Sequence, residues 1–407
     1  MKGPFKAVQV TDTVYWVGAV DYDIRDFHGY STDRGTTYNA YLVMAEKPTL
    51  IDAVKAPFLE EMLSRIASVA DPKSIKYVVS NHAEMDHSGG LPGALEAIKP
   101  EKVFASAMGV KALEAHFHWG APVTAVKDGE KLDLGGERVC FTETRMLHWP
   151  DSMFSYLERE GVLFSNDAFG MHLASGRRFD DETEDWEYEA AKYYANIILP
   201  YSDIVTALFP KLAKADIKPR IIAPDHGPIW RKDPARIMSM WAHWARQKSA
   251  DKAVVVFDTM WGSTEKLARA AAEGLISGGT KTVVMPLRSS HRSDVATELL
   301  EAGALLVGSP TINRNVFPTV ADVLTYLRGL KRKNLVGAAF GSYGWGAEAI
   351  KQLGDYLTEM GAAELEPVKC QYVPDAAALE AAYTLGARVS AILKEAPAIP
   401  RGFSGEK

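Results

Sequence analysis

The feature that most constrains this chain is a regular alternation that begins near residue 250. An apolar run from Ala253 to Phe257 is followed by a stretch from Thr264 to Ile276 that places Leu267, Ala271 and Leu275 at i, i+4, i+8 spacing and stops at Gly278-Gly279. A second run, Thr282 to Met285, comes next, and the pattern continues through Ala304 to Val307, Val320 to Leu327, Val336 to Phe340 and Glu348 to Met360. Strands alternating with helices in this way predict a parallel, doubly wound α/β sheet. The first half has another texture, with short strand-like runs between long loops rich in Asp, His and Pro. A chain of 407 residues exceeds the roughly 250–300 at which one core stops growing. Two domains are therefore expected, residues 1–250 and 251–400, with the polar stretch Arg246 to Lys252 as linker.

Composition narrows the classes of partner. A formal net charge of -6 without a long basic run argues against a nucleic-acid or anionic-membrane surface. No apolar run approaches the roughly 20 residues needed to span a bilayer, and Met1-Lys2-Gly3-Pro4-Phe5 does not resemble a signal peptide. The two cysteines, Cys140 and Cys370, are far apart and offer neither a disulfide framework nor a Cys-rich metal site. These features fit a soluble cytoplasmic protein with a small substrate.

After the run Ile75 to Val79 the chain reads His82-Ala83-Glu84-Met85-Asp86-His87, four potential metal ligands in six residues. Three more follow apolar runs: His148 after Arg145-Met146-Leu147, Asp167 after Val162 to Asn166, and His226 after Ile221 to Asp225. Strand ends in a layered α/β fold converge on one rim, so these seven can meet there and suit two metals. Two histidines and two carboxylates buried without a balancing Lys or Arg are costly to desolvate, and a dication compensates. His116, His118, His243 and His291 carry no such company and are assigned to structural roles.

The order His-x-Glu-x-Asp-His, then His148, Asp167 and His226, resembles the metallo-β-lactamase superfamily, with the hairpin Tyr41 to Val43 and Leu50 to Asp52 in support. Hydrolytic members usually carry His where this chain has Glu84, and a hard carboxylate there moves the site from zinc towards iron or manganese. That substitution resembles the flavodiiron branch. The resemblance implies a metallo-β-lactamase-like αββα sandwich in which His82, Glu84 and His148 hold one iron, Asp86, His87 and His226 the other, and Asp167 bridges them. His87 needs a tight turn to face the metal beside Asp86, so either it ligates or water takes its place.

In the second half, Asp258-Thr259-Met260-Trp261-Gly262-Ser263-Thr264 opens a helix directly after a strand. Such a start either binds a phosphate monoester or is an ordinary N-cap by Ser263 or Thr264. Two further loops at strand ends favour a flavin: Ser309-Pro310-Thr311-Ile312-Asn313 and Ser342-Tyr343-Gly344-Trp345-Gly346. They resemble the flavodoxin fold, in which three loops meet at the switch point of the sheet and hold FMN. Trp345 between two glycines suits ring stacking. No Gly-x-Gly-x-x-Gly opens a helix with an acidic residue about 20 positions on, which excludes a nicotinamide site of that kind.

The two resemblances cover the chain up to about Ala396 and together imply a flavodiiron oxidoreductase that reduces dioxygen, nitric oxide or both. Full reduction of dioxygen takes four electrons, the number that two Fe(II) ions and an FMN hydroquinone supply. His172 and Tyr193 either donate protons or are structural, and Trp149 is assigned to packing. The resemblance also implies a rubredoxin-like electron donor and a head-to-tail homodimer or dimer of dimers. The alternative is a zinc-dependent hydrolase fused to a flavodoxin-like electron carrier.

Overall fold

The computed structural model describes residues 3–120 and 122–395. The tail after about Ala396 and the last residues of the expected second domain lie outside them. The chain divides into two compact units, one of Met1–His28, Thr32–Tyr194 and Asp203–Ala242, the other of Gly29–Ser31, Ala195–Ser202 and His243–Lys407.

In the first unit, a seven-stranded sheet contains the hairpin Tyr41–Val43 and Thr49–Ile51, followed in parallel by Tyr77–Ser80, Lys102–Ser106 and Val123–Val126. A five-stranded sheet consists of Lys131–Asp133, Arg138–Glu143, Met153–Leu157, Val162–Phe164 and Ile221–Ala223. Side-chain alternation explains why these sheets stack. Tyr41, Val43, Ile51 and Val79 of the first sheet share a core with Val139, Phe141, Met153, Val162 and Phe164 of the second. The intervening residues Leu42, Leu50 and Val78 turn outward and pack with Met62, Ile66, Leu91, Ala94 and Leu113 of the covering helices. On the far side, Phe169 packs at a tilt against Trp241 of helix Pro234–Ala245 with ring centres 4.8 Å apart. The result is an αββα sandwich.

The second unit is a five-stranded parallel sheet in the order Lys281–Pro286, Ala250–Phe257, Ala302–Pro310, Val336–Tyr343, Ala363–Gln371. With its first strand second in space, this is the flavodoxin-like 2-1-3-4-5 order, and the switch point lies between Ala250–Phe257 and Ala302–Pro310. Helix Ser263–Ser277 lies close against helix Ala376–Glu395. A Cβ on Gly386 would meet the Ala271 carbonyl, so only glycine permits this approach.

Some expected boundaries move. The stretch Arg246 to Lys252 is not a loose polar linker: Gln247 is buried, Arg332 donates to its carbonyl, and Ala250–Lys252 already belong to a strand. The unit begins before it, at His243, where His243 and Trp244 both reach the Glu301 carboxylate. Arg145 to Leu147 is not strand either. That strand ends at Glu143, and the following residues turn, with Met146 at positive φ. Among the described residues, no helix is long and apolar enough to cross a membrane.

Candidate metal centre and flavin loops

The seven sequence-selected residues come together at carboxyl ends of strands of the sandwich. His82 and Glu84 follow strand Tyr77–Ser80, Asp167 follows Val162–Phe164, His226 follows Ile221–Ala223, and His148 lies in the loop after Arg138–Glu143. The tight turn needed for His87 is a single helical turn, Met85–Ser88, started by extended backbone at Glu84. It turns both Asp86 and His87 inward.

Two groups result, His82, Glu84, His148 and Asp167, and Asp86, His87 and His226. Asp167 reaches both. Its Oδ2 lies 3.2 Å from His82 Nε2 and 3.1 Å from His148 Nε2, while its Oδ1 lies 3.2 Å from His87 Nε2 and 3.5 Å from His226 Nε2. Within the groups, Glu84 Oε2 is 3.3 Å from both His82 Nε2 and His148 Nε2, and Asp86 is 3.3 Å from His87 Nε2 and 3.1 Å from His226 Nε2. Two donors at right angles on an ion with bonds of about 2.1 Å lie about 3.0 Å apart. Charged hydrogen bonds are shorter, about 2.7–2.9 Å. The spacing thus fits a shared cation between donors better than direct pairing.

The buried donors also lack hydrogen bonds where a cation would sit. His82 Nε2, His87 Nε2, both Asp86 oxygens and Asp167 Oδ2 are buried without a hydrogen-bond partner. Electrostatics agree. Burial favours a neutral His82, but the carboxylates around it, Asp151 and then Glu84, outweigh that and lift its pKa to about 10. Burial opposes ionisation of Asp167, yet His87 and His148 hold its carboxyl well below the usual range. Burial likewise opposes ionisation of Glu84, and His148 and His82 bring it to about 2. Positive charge between the carboxylates is what the cluster demands, and metal ions supply it.

Supporting residues orient the imidazoles from behind, and motif reading missed them. His82 Nδ1 faces Asp151 Oδ2 at 3.0 Å, and that oxygen also accepts from Ala83 N–H at 2.6 Å. His226 Nδ1 lies 2.6 Å from the Thr37 carbonyl. His28 was also missed and lies 3.6 Å from Glu84 Oε1, with its side chain mostly exposed. Tyr193 donates to Asp167 Oδ1 at 2.8 Å; burial, and after it the Asp167 charge, keep its hydroxyl protonated. His172 Nδ1 is 2.8 Å from Thr36 Oγ1, and burial followed by His226 keeps the ring neutral. Trp149 packs edge-on against His82 with ring centres 5.2 Å apart.

The flavin candidates gather at carboxyl ends of the parallel sheet. Strand pairing runs further than the sequence pattern suggested, placing Ser309, Pro310, Ser342 and Tyr343 inside strands through the register Pro310↔Ser342 and Tyr343↔Gln371. Helix Ser263–Ser277 starts after Gly262 at φ 84°, with no side-chain cap on its first N–H groups. The N-cap alternative for Ser263 and Thr264 therefore fails, and the N–H groups are left for an anion. Thr259 Oγ1 accepts from Gly262 N–H, and Thr264 Oγ1 and Ser342 Oγ are 3.0 Å apart, tying the first loop to the third. In the second loop, Thr311 Oγ1 is buried without a partner, and Ile312 and Asn315 close a turn with Asn313 at positive φ. Met260 is partly exposed, and Trp261 and Trp345 are 93% and 94% exposed, with Gly344 and Gly346 flanking the latter. Uncapped N–H groups, hydroxyls and open indoles fit a phosphorylated flat ring such as FMN.

Comparison with known proteins agrees with both halves. The ODP family beta lactamase matches residues 36–227 and flavodoxin matches residues 255–386. The chain is 45% identical to the nitric oxide reductase of Moorella thermoacetica over 94% of this chain and 98% of that one. Among solved structures, it is similar to the rubredoxin oxygen:oxidoreductase of Desulfovibrio gigas, with TM-score 0.94, 45% identity and coverage of 96% and 99%. It is also similar to the flavodiiron protein of Giardia intestinalis, with TM-score 0.92, 32% identity and coverage of 97% and 98%. With both folds in this order and such likeness along nearly the whole of each chain, this protein belongs to the flavodiiron family.

Proposed function

We propose that this chain reduces dioxygen to water, nitric oxide to nitrous oxide, or both, at a pair of irons supplied with electrons through FMN from a rubredoxin-like donor. The observation that carries this reading is the two-sided approach of Asp167, each of whose oxygens faces one ligand group. In this assignment His82, Glu84 and His148 hold one iron, Asp86, His87 and His226 the other, and Asp167 bridges. FMN is held by Thr259 to Thr264, Ser309 to Asn313 and Ser342 to Gly346. The diiron site is assigned to the first unit, which ends at Ala242, and the FMN site to the second, which resumes at His243. When bound, two Fe(II) ions and reduced FMN supply the four electrons that one dioxygen requires, or the two that a pair of nitric oxide molecules requires.

The chain's own residues set the conditions. Glu84, Asp86 and Asp167 contribute three negative charges, which would offset most of the positive charge of two Fe(II) ions. Tyr193 holds a proton beside Asp167 Oδ1, and His172 holds one ring proton shared with or directed away from Thr36, so these two are the proton donors of this reading. Phe27 packs at a tilt against His172, ring centres 4.8 Å apart. Glu84 weighs against the zinc-hydrolase alternative because a carboxylate replaces the expected imidazole. The two cysteines cannot form an Fe–S or rubredoxin-type centre in this chain, which supports a separate donor.

Iron, zinc and flavin analysis of the purified protein, with steady-state consumption of dioxygen and of nitric oxide driven by a reduced rubredoxin, tests the proposal. About two irons and one FMN per chain with turnover of either gas supports it; zinc in place of iron sinks it. We assign the protein to a reducing cytoplasm, on the strength of two buried thiols. The working unit in this reading is a homodimer, or a dimer of dimers, in which FMN of one chain serves the irons of its partner. A mixed dimer of an Asp167→Ala chain and a chain lacking FMN through changes at Ser263 and Trp345 should keep about half of wild-type activity, by symmetry. An inactive mixed dimer that retains its expected iron and FMN rules this out.

A further inference from the structure

The ligand sets above leave the buried Asp225 carboxyl, beside the cluster, without a role. The Asp225 side chain is fully buried and neither carboxylate oxygen has a hydrogen-bond partner. An unpaired carboxylate in such a place is costly, so its retention calls for a compensating neighbour. That neighbour is His87, whose Nδ1 lies 3.4 Å from Asp225 Oδ2 and is itself buried without a hydrogen bond. Among the described residues, no other carboxylate stands within ion-pair distance of that nitrogen.

The backbone gives Asp225 little room to move. Its N–H donates to the Asn166 carbonyl at 2.8 Å, its own carbonyl accepts from Asn39 N–H at 2.7 Å, and the preceding Pro224 carbonyl accepts from Asn39 Nδ2 at 2.7 Å and from the Tyr41 hydroxyl at 2.6 Å. The backbone is thus fixed, and the Asp225 carboxyl lies by His87 Nδ1 whereas Asp86 and Asp167 face Nε2.

Three imidazoles of the cluster therefore have an acceptor behind Nδ1, but the distances differ: 2.6 Å for His226, 3.0 Å for His82 and 3.4 Å for His87. An acceptor there keeps the proton on Nδ1 and aims the Nε2 lone pair at the metal. We propose that Asp225 is the positioning residue that holds His87 in its ligating orientation, and that its longer reach makes His87 the most readily released of these three ligands. This rests on the ligand reading above.

The test is Co(II) titration of the metal-stripped full chain, followed by the visible spectrum of the bound ion, for wild type, Asp225→Asn, Asp225→Ala, His87→Ala and the double variant Asp225→Ala/His87→Ala. Wild type should take up two ions. One of the two should bind on the order of 10–100-fold more weakly in Asp225→Ala, with Asp225→Asn between it and wild type because the amide oxygen still accepts. The spectrum of Asp225→Ala should approach that of His87→Ala, and the double variant should bind no more weakly than His87→Ala alone. A general structural role predicts losses that add, and additive losses overturn the proposal, as does wild-type binding of both ions by either Asp225 variant. If Asp225→Ala does not fold, the near-isosteric Asn variant decides by the same criterion. A wild-type chain that binds fewer than two ions fails at an earlier step and overturns the ligand reading together with this one.

Discussion

The metal centre and the flavin loops stand at equivalent places, the carboxyl ends of strands, yet they are built in opposite ways. At the metal centre His82, Asp86, His87, Asp167 and His226 are all buried, and protein acceptors stand behind the Nδ1 atoms of His82, His87 and His226. At the flavin loops Trp261 and Trp345 are almost fully exposed and the first helix turn is uncapped. The difference follows from what each ligand brings. An ion has no shape of its own beyond a preferred bond length and angle, so donors must be fixed beforehand, with their charges already desolvated at the expense of folding. A flat flavin carries its own apolar surface and phosphate, so open indoles and free N–H groups suffice until it binds.

If that contrast is right, changes at the first site should be drastic and local, and changes at the second graded. The largest effect is expected from Asp167→Ala, which removes the one carboxylate common to both groups. Both irons should be lost or fall far below stoichiometry while FMN stays at wild-type content, as read by metal analysis and flavin absorbance. Two irons at full occupancy would end the bridging assignment.

Tyr193→Phe comes next. It deletes only the hydroxyl that donates to Asp167 Oδ1. Iron and FMN should remain, and turnover should fall on the order of 10²-fold, the low end for a lost proton donor. A drop smaller than about threefold, well short of that range, returns Tyr193 to a structural role.

Glu84→His tests donor chemistry rather than geometry. Replacing a carboxylate by imidazole should move the iron-to-zinc ratio towards zinc by about tenfold in mixed-metal medium, the direction set by ligand softness. An unchanged ratio removes the argument for iron. Trp345→Ala should have the smallest effect, weakening FMN by roughly 3–10-fold, equivalent to about 0.5–1.5 kcal/mol of aromatic stacking. Fluorescence titration of the flavin-free protein reads this directly, and iron content should not change.

The sequence made the second unit legible as a parallel alternating sheet, because each strand there is a nearly continuous apolar run and each helix carries its own period. Helix Arg292–Leu299 is not legible because its pattern is mostly polar, and its start is an N-cap by His291, one form of the structural role expected of that residue. Strand ends escaped in the other direction: pairing at Pro310↔Ser342 extends strands through residues that read locally as loop. In the first unit, the turn at Arg145 to Leu147 was mistaken for an apolar strand end because hydrophobicity alone does not distinguish the two.

For the site, the sequence by itself determined the donor types. Hard carboxylates at Glu84, Asp86 and Asp167 among imidazoles set which metals are suited, since that preference lives in the side-chain atoms. Only the tertiary structure decided which atoms face one another. The partition of Asp167 between two groups, and the placing of Asp151, Thr37 and Asp225 behind the imidazoles, join residues 19 to 189 positions apart in the chain. No local spacing records such contacts: they arise where separate strand ends meet, and the cost of burying each charge selects its partner there.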